Sequence, residues 1–401
     1  MSALSPAEAG LLEPIEAAPM LERTIDWAEI NSGTANLTGL GAMAERLAHA
    51  FAALPGDIAL LDAAPVETIG ADGKAVGQSH GRHLLIRVRP EAARRILLTG
   101  HMDTVFAADH PFQHCRRVDA DTLHGPGTAD MKGGLALMLS ALLAFEASAP
   151  ALGYDVLINS DEETGSRSSA RLIGEMARDK VAALTYEPAL PGGGMARARP
   201  GSGNFAAVVE GRSAHAGRNP QDGRNAVVAA SDLALRLARS ARLGLTVNPA
   251  RIDGGGPDNL VPDLAVLRLN LRPRGPAEAA AARDAMATII SAVAQDHDVA
   301  IHLHGDFGRP PKPVSTASER LFALVSRASL DLGDELGWQD TGGVCDGNNI
   351  AAAGVPVIDT MGACGGNIHS PEEFLLVDSL MQRARLSALV LQRLDLGMFK
   401  P

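Results

Sequence analysis

The run Arg94-Arg95-Ile96-Leu97-Leu98-Thr99, closed by Gly100 and followed by His101-Met102-Asp103, restricts the fold of this chain more than any other segment. A short continuous apolar run ending in glycine is the signature of a strand buried on both faces of a parallel sheet. Side chains alternate along a strand, so His101 and Asp103 share a side where the extended geometry persists. They fall at the carboxyl end of the strand, where open α/β sheets place their sites. An imidazole beside a carboxylate suits a metal, the first as ligand and the second as the group that orients it.

The same pattern recurs downstream. An apolar strand at 154–159 ends in Ser160-Asp161-Glu162-Glu163-Thr164-Gly165-Ser166. Three consecutive carboxylates after a buried strand are costly unless a cation neutralises them. An exposed acidic loop heading a helix at 168–177 accounts for them equally well. A third apolar run at 181–185 closes in Tyr186-Glu187-Pro188. Between them, Gly125-Pro126-Gly127-Thr128-Ala129-Asp130-Met131-Lys132-Gly133-Gly134 leads into an amphipathic helix expected at 135–145. Its spacing fits neither a P-loop nor a dinucleotide fingerprint, and Asp130 at the helix entrance also reads as an N-cap. Late in the chain, His369 follows a glycine-rich loop after an apolar stretch at 355–358. Other histidines lack such settings: His49, His80 and His83 read as surface or satisfied groups, His110 and His114 as loop residues because Pro111 interrupts a helix, and His302 and His304 as structural.

A length of 401 residues suggests two domains. A net charge of -11 without a Lys/Arg cluster disfavours nucleic acid and anionic membrane as partners. Cys115, Cys345 and Cys364 are odd in number and form no CxxC pair, so no disulfide framework is expected. The first residues lack a secretory pattern and no run approaches a membrane span, which makes the expected location cytoplasmic. From about residue 201 the pattern changes to β-α-(β)-β-α-β, a ferredoxin-like order. The expected division is a discontinuous catalytic domain, 1–200 and 312–401, with an inserted domain at 201–311. Arg309-Pro310-Pro311-Lys312-Pro313 reads as a stiff linker back to the α/β domain.

These motifs, with Ser213-Ala214-His215-Ala216-Gly217, Asn259-Leu260-Val261-Pro262 and Thr341-Gly342-Gly343, resemble the di-zinc exopeptidase family that includes glutamate carboxypeptidases, acetylornithine deacetylase, succinyl-diaminopimelate desuccinylase and aminoacylase. The resemblance implies a mixed-sheet α/β catalytic domain with an inserted lid or dimerisation domain. It implies one zinc on His101 and Glu187, another on Glu163 and His369, and Asp130 bridging them, with cobalt or manganese as possible substitutes. It further implies that Asp103 orients His101, that the peptide after Asp130 is cis, and that Glu162 is the general base. His215 would reach across a homodimer to stabilise the oxyanion, and Arg272, Asn259 and Gly343 would bind substrate. The chain departs from the family where Gly343-Val344-Cys345-Asp346 replaces the more usual glycine-serine or glycine-threonine before Asp, and in the loop at 191–199.

The expected activity is hydrolysis of the amide bond of a peptide or N-acyl amino acid bearing a free carboxylate, as in a glutamate carboxypeptidase. Deacylation of N-acyl or aryl-acyl amino acid conjugates is the alternative within the same chemistry. A non-catalytic binding protein on this fold would be expected to have lost a ligand or the base, and all are present.

Overall fold

The computed structural model describes residues 4–401. Two main sheets carry the architecture, and their strands are numbered here in chain order. The larger contains β1 (Asp57–Leu61), β2 (His83–Val88), β3 (Arg95–His101), β4 (Gly153–Asn159), β5 (Ala182–Thr185) and β10 (Val357–Ile358), in the order β1-β2-β4-β3-β5-β10. The first two pairings are antiparallel, and β4, β3, β5 and β10 run parallel. His101 lies in register with Asn159, and Thr99 with Thr185. Three parallel strands in the middle of the sheet therefore end side by side, and the loops leaving them share one edge.

Both faces of these strands are covered, as their unbroken apolar runs require. Ile96, Leu98, Tyr154, Val156 and Ile158 belong to the large core, with the helices Ala17–Ala28, Gly133–Ala147 and Val377–Asp395. Leu97, Leu157 and Ala183 face the opposite way, against Ile173 and Ile350 from the helices Ala170–Ala177 and Asp346–Ala352.

The helix Gly133–Ala147 is not amphipathic as the spacing predicts. Only Ser140, Leu143, Glu146 and Ala147 are less than buried, because it packs against three other helices, Pro6–Leu12, Ala17–Ala28 and Val377–Asp395, as well as the sheet. The 20 residues Thr128–Ala147 have a mean hydropathy of 1.3, as long and apolar as a membrane span, yet only Gly133–Ala147 is regular α-helix and the segment is packed inside the protein. Its approach to the sheet depends on glycine. A Cβ on Gly100 would meet Leu135 at 2.6 Å, and one on Gly134 would meet the Tyr186 carbonyl oxygen at 2.2 Å.

The second sheet lies within residues 202–309: β6 (Ser202–Glu210), β7 (Leu245–Gly254), β8 (Leu264–Pro273) and β9 (Ala300–Arg309), in the antiparallel order β7-β8-β6-β9. The helices Ala226–Arg239 and Pro276–His297 pack on it through Leu233, Leu237, Ala282, Met286 and Val293, which gives this segment a core of its own. The strand β7 was only a bracketed element in the sequence pattern. It is an edge strand carrying Pro249 and mostly exposed or half-exposed side chains, so its alternation is weak. The two crossings between the sheets lie together, with Arg199 and Lys312 exchanging backbone hydrogen bonds of 3.1 and 3.0 Å. Both side chains also pair with buried Asp359, at 2.8 and 2.9 Å. The segment read as a stiff linker is thus locked by charge as well as by proline.

Gly134→Ala tests the close packing of helix on strand. Alanine is the better helix former, yet the clash with Tyr186 should lower stability by about 1–3 kcal/mol, as overpacking does. Thermal melting of the variant would read this, and an unchanged melting temperature would contradict it.

Candidate active site

The carboxyl ends of the central strands bring together His101, Asp130, Glu162, Glu163 and Glu187, and the loop before Phe374 adds His369. His101 ends β3. Its Nδ1 lies 3.0 Å from the Asp103 carbonyl oxygen, an acceptor only, so Nδ1 donates there and Nε2 is the atom that a metal would take in place of its proton. That Nε2 sits 3.1 Å from Asp130 Oδ1 and 3.8 Å from Glu187 Oε2. On the other side, His369 Nε2 lies 3.3 Å from Asp130 Oδ2 and 3.1 Å from Glu163 Oε2. His101, Asp130 and Glu187 form one group of convergent donors, and Asp130, Glu163 and His369 another. Asp130 belongs to both, with one oxygen toward each.

Local structure explains how Asp130 comes to the middle. The Asp130–Met131 peptide is cis, and the turn Thr128–Lys132 precedes the buried helix instead of being its regular first turn. Asp130 is therefore not an N-cap. The buried carboxylate of Glu373 accepts backbone N–H bonds of 3.0 Å from Gly127, Ala129 and Asp130, which holds the whole turn. Asp103 contributes differently from expectation. Its carboxylate is 3.4 Å from His101 Nδ1, and its closer partners are Thr34 Oγ1 at 2.7 Å and the backbone N–H groups of Glu162 and Glu163 at 3.1 Å. It ties the end of β3 to the loop after β4, while its backbone carbonyl orients the imidazole.

The acidic triplet is not an exposed loop. Asp161 is satisfied by the Ser168 N–H and the hydroxyls of Ser168 and Ser169. Glu162 pairs with Arg309 at 2.6 Å, and Glu163 with His369. Burial pushes the Glu162 carboxyl up to about 7, against the pull of Arg309. Burial and the Asp130 charge push Glu163 up to about 8, and burial raises Glu187. Burial disfavours the His101 cation, but Asp103, Asp130 and Glu187 outweigh it and hold the imidazole well above its usual range. Hydrogen bonds to Asp130 and Glu163 raise His369 to about 11. Asp130 itself lies below the usual carboxylate range, where the two imidazoles outweigh its burial. A cluster that retains protons in this way is one a divalent cation can discharge. The donor set of imidazole and carboxylate suits zinc and its neighbours. Glu187 Oε1 is buried without any hydrogen-bond partner, as a ligand oxygen awaiting a cation would be. The residues fit a pair of metal ions.

Residues 97–393 match the family model "Peptidase family M20/M25/M40". The chain belongs to this peptidase family. Carboxypeptidase G2 of Pseudomonas sp. (strain RS-16) is 31% identical over 345 residues, covering 81% of this chain and 80% of that protein. Succinyl-diaminopimelate desuccinylase of Hahella chejuensis is 26% identical, covering 76% and 84%. Among solved structures, aminopeptidase PepT of Bacillus cereus superposes with a TM-score of 0.73 at 21% identity, over 94% of this chain and 98% of that one. The metallo-carboxypeptidase Sso-CP2 of Sulfolobus solfataricus gives 0.71 at 15% identity, over 94% and 99%. This M20 chain is accordingly a metal-dependent hydrolase of peptide or acyl-amino-acid bonds, on an α/β fold built for a dinuclear metal site.

The remaining candidates of the M20 chain belong to neither donor group. His215 is exposed on a short ribbon, Ala214–His215 against Leu260–Val261, where Ala216 N–H donates to the Asn259 carbonyl. Its Nδ1 accepts from the backbone of Gly217 and Arg218. Arg272, on β8, donates to the Gly342 carbonyl at 2.9 Å, which brings it beside Gly343, while Asn259 stays with His215. Two residues escape the sequence reading. Glu373 is quoted only as part of the loop after His369, and Arg309 is taken as linker. Cys115, Cys345 and Cys364 are free thiols.

Stability against pH follows from these shifts. A carboxylate raised in the folded protein takes up a proton on folding, so stability falls as pH rises from its unfolded value of about 4.3 to its folded value. Glu162, Glu163 and also Glu373, pushed by burial to about 7, all act this way. The raised His101 and His369 contribute stability below about 6.5 that is lost as pH climbs toward their folded values, which has the same sign. Metal-free protein should therefore lose melting temperature steadily from about pH 5 to pH 8. Divalent metal should flatten that slope; parallel melting curves with and without metal would contradict it.

Proposed function

We propose that the chain is a dinuclear zinc carboxypeptidase or amidohydrolase acting on a peptide or N-acyl amino acid with a free carboxylate. The observation that carries the reading is the shared Asp130, whose two oxygens face two separate ligand groups. His101 and Glu187 would complete one zinc site and Glu163 and His369 the other, with cobalt or manganese as alternatives. Two bound ions would polarise the scissile carbonyl and lower the pKa of a water between them.

Glu162 stands beside the ligand Glu163 without belonging to either donor group. It would take the proton of the attacking water and deliver it to the leaving nitrogen, so the amide C–N bond breaks with the amine released neutral. Asp103 would hold both the imidazole of His101 and the loop carrying Glu162 in place. Arg272, backed by Gly342 and Gly343, would bind the substrate carboxylate, where a guanidinium offers paired donors. Residues 1–200 with 312–401 would form the catalytic domain and 201–311 the lid. His215 and Asn259, together on an exposed ribbon, would complete the site of the other subunit of a homodimer. Support for pairing comes from β9, an unpaired edge with Leu303 exposed and Ile301 half-buried. Among the described residues the one apolar segment of span length, Thr128–Ala147, is buried in the core, and a cytoplasmic location would accord with that.

Hydrolysis of a panel of peptides and N-acyl amino acids, run beside Glu162→Gln, tests the reading. Loss of the base should lower kcat by about 10²–10⁴-fold while both metals remain bound. Preference for N-acyl or aryl-acyl conjugates over peptides would select the deacylase form of the same chemistry. Undiminished turnover by Glu162→Gln would remove Glu162 from the role.

A further inference from the structure

The contact that the linker reading hid is the one between Arg309 and Glu162. Arg309 is the last residue of β9, 147 positions from Glu162, and both side chains are buried. Its Nη2 lies 2.6 Å from Glu162 Oε1 and donates to the Glu162 carbonyl and to Ser166 Oγ, each at 2.8 Å. One guanidinium therefore grips both the carboxylate and the backbone of the same residue. The grip is itself anchored. Asp346 lies 3.6 Å from Arg309 and accepts from Ser166 Oγ and from Asn159 Nδ2 at 2.9 Å. Asn159 ends β4 in register with His101, so the network is pinned to the strand ends that carry the metal donors.

The backbone around Arg309 is equally fixed. Asn349 Nδ2 donates to the Gly308 carbonyl at 3.0 Å, and Asn348 Nδ2 to those of Pro310 and Pro200 at 2.8 Å. Pro310 and Pro311 then remove further freedom from the segment. A cation on such a mount has one place to be, and the group it binds is correspondingly confined.

We infer that Arg309 is the positioning residue for Glu162, through which the segment carrying the second sheet fixes the direction of the proposed general base. The inference rests on Glu162 acting as that base. It does not require Arg309 to touch substrate, since its nearest partners are Glu162, Ser166 and Asp346. Chemically, Glu162 must present one carboxylate oxygen to the water while the other is held, and Arg309 holds Oε1.

The test compares Arg309→Ala and Arg309→Lys in the metal-loaded full chain, measuring kcat, KM, metal content and melting temperature. A misplaced catalytic group costs on the order of 10²-fold, so Arg309→Ala should lose about that in kcat with KM nearly unchanged and two metals retained. Arg309→Lys should recover part of the loss, and guanidinium at a non-denaturing concentration should partly rescue Arg309→Ala. In the Glu162→Gln background, Arg309→Ala should leave the affinity for a slowly cleaved substrate unchanged, measured by calorimetry. A rise in KM at constant kcat, or weakened substrate binding in the Glu162→Gln background, would assign Arg309 to the substrate and overturn the inference. So would a kcat that Arg309→Ala leaves intact, or a loss that neither lysine nor guanidinium relieves. If Glu162→Gln is itself fully active, it is the base assignment that fails.

Discussion

The structure depends on one carboxylate being shared. Asp130 has His101 and Glu187 on one side and Glu163 and His369 on the other. Several elements far apart in sequence must end within a few ångströms of it. A parallel sheet supplies that convergence, because β3, β4 and β5 all finish on one edge, with His101 at the end of β3 and Glu162, Glu163 and Glu187 just beyond β4 and β5. Asp130 comes from a different source, the turn before the buried helix. It reaches the edge only because Gly100 and Gly134 let that helix lie directly against β3 and the Tyr186 backbone.

Crowding so many charges away from water would be prohibitive if each were alone. The fold gives each a distinct partner. Hydroxyls and an N–H satisfy Asp161, Arg309 faces Glu162, and His369 faces Glu163. Glu373 is held by three backbone N–H groups, and Asp359 by Arg199 and Lys312. Among the metal-donor candidates, Glu187 Oε1 is buried and unpaired, and Arg309 Nε and Asn159 Oδ1 nearby also lack a partner. A cation would satisfy the Glu187 oxygen, which is why metal binding and the stability of this region are expected to be linked.

The grouping of His101, Asp130, the pair Glu162 and Glu163, Glu187 and His369 was legible because each closes a local pattern, an apolar run, an acidic triplet or a glycine-rich loop, while their roles as metal ligands came only from the family resemblance. The mixed α/β class followed from the same runs. What local pattern cannot carry is long-range pairing. Arg309 sits before Pro310-Pro311 and looks like a linker, and nothing within its own segment points to Glu162. Glu373 acts through backbone N–H groups of residues 127–130, which leave no trace in side-chain identity. The amphipathic reading of 135–145 failed because a helix covered on every side has no polar face to reveal its period. The weak alternation of β7 reflects an edge strand with solvent on much of its surface.

The central claim is the bridging position of Asp130, and crystals of the protein grown with zinc would test it most directly by anomalous scattering at the zinc edge. The account predicts two peaks about 3.5–4 Å apart, as in dinuclear hydrolytic sites, one against each oxygen of Asp130, with Glu187 and Glu163 on opposite sides. A single peak, or two peaks that leave Asp130 on only one of them, would contradict it.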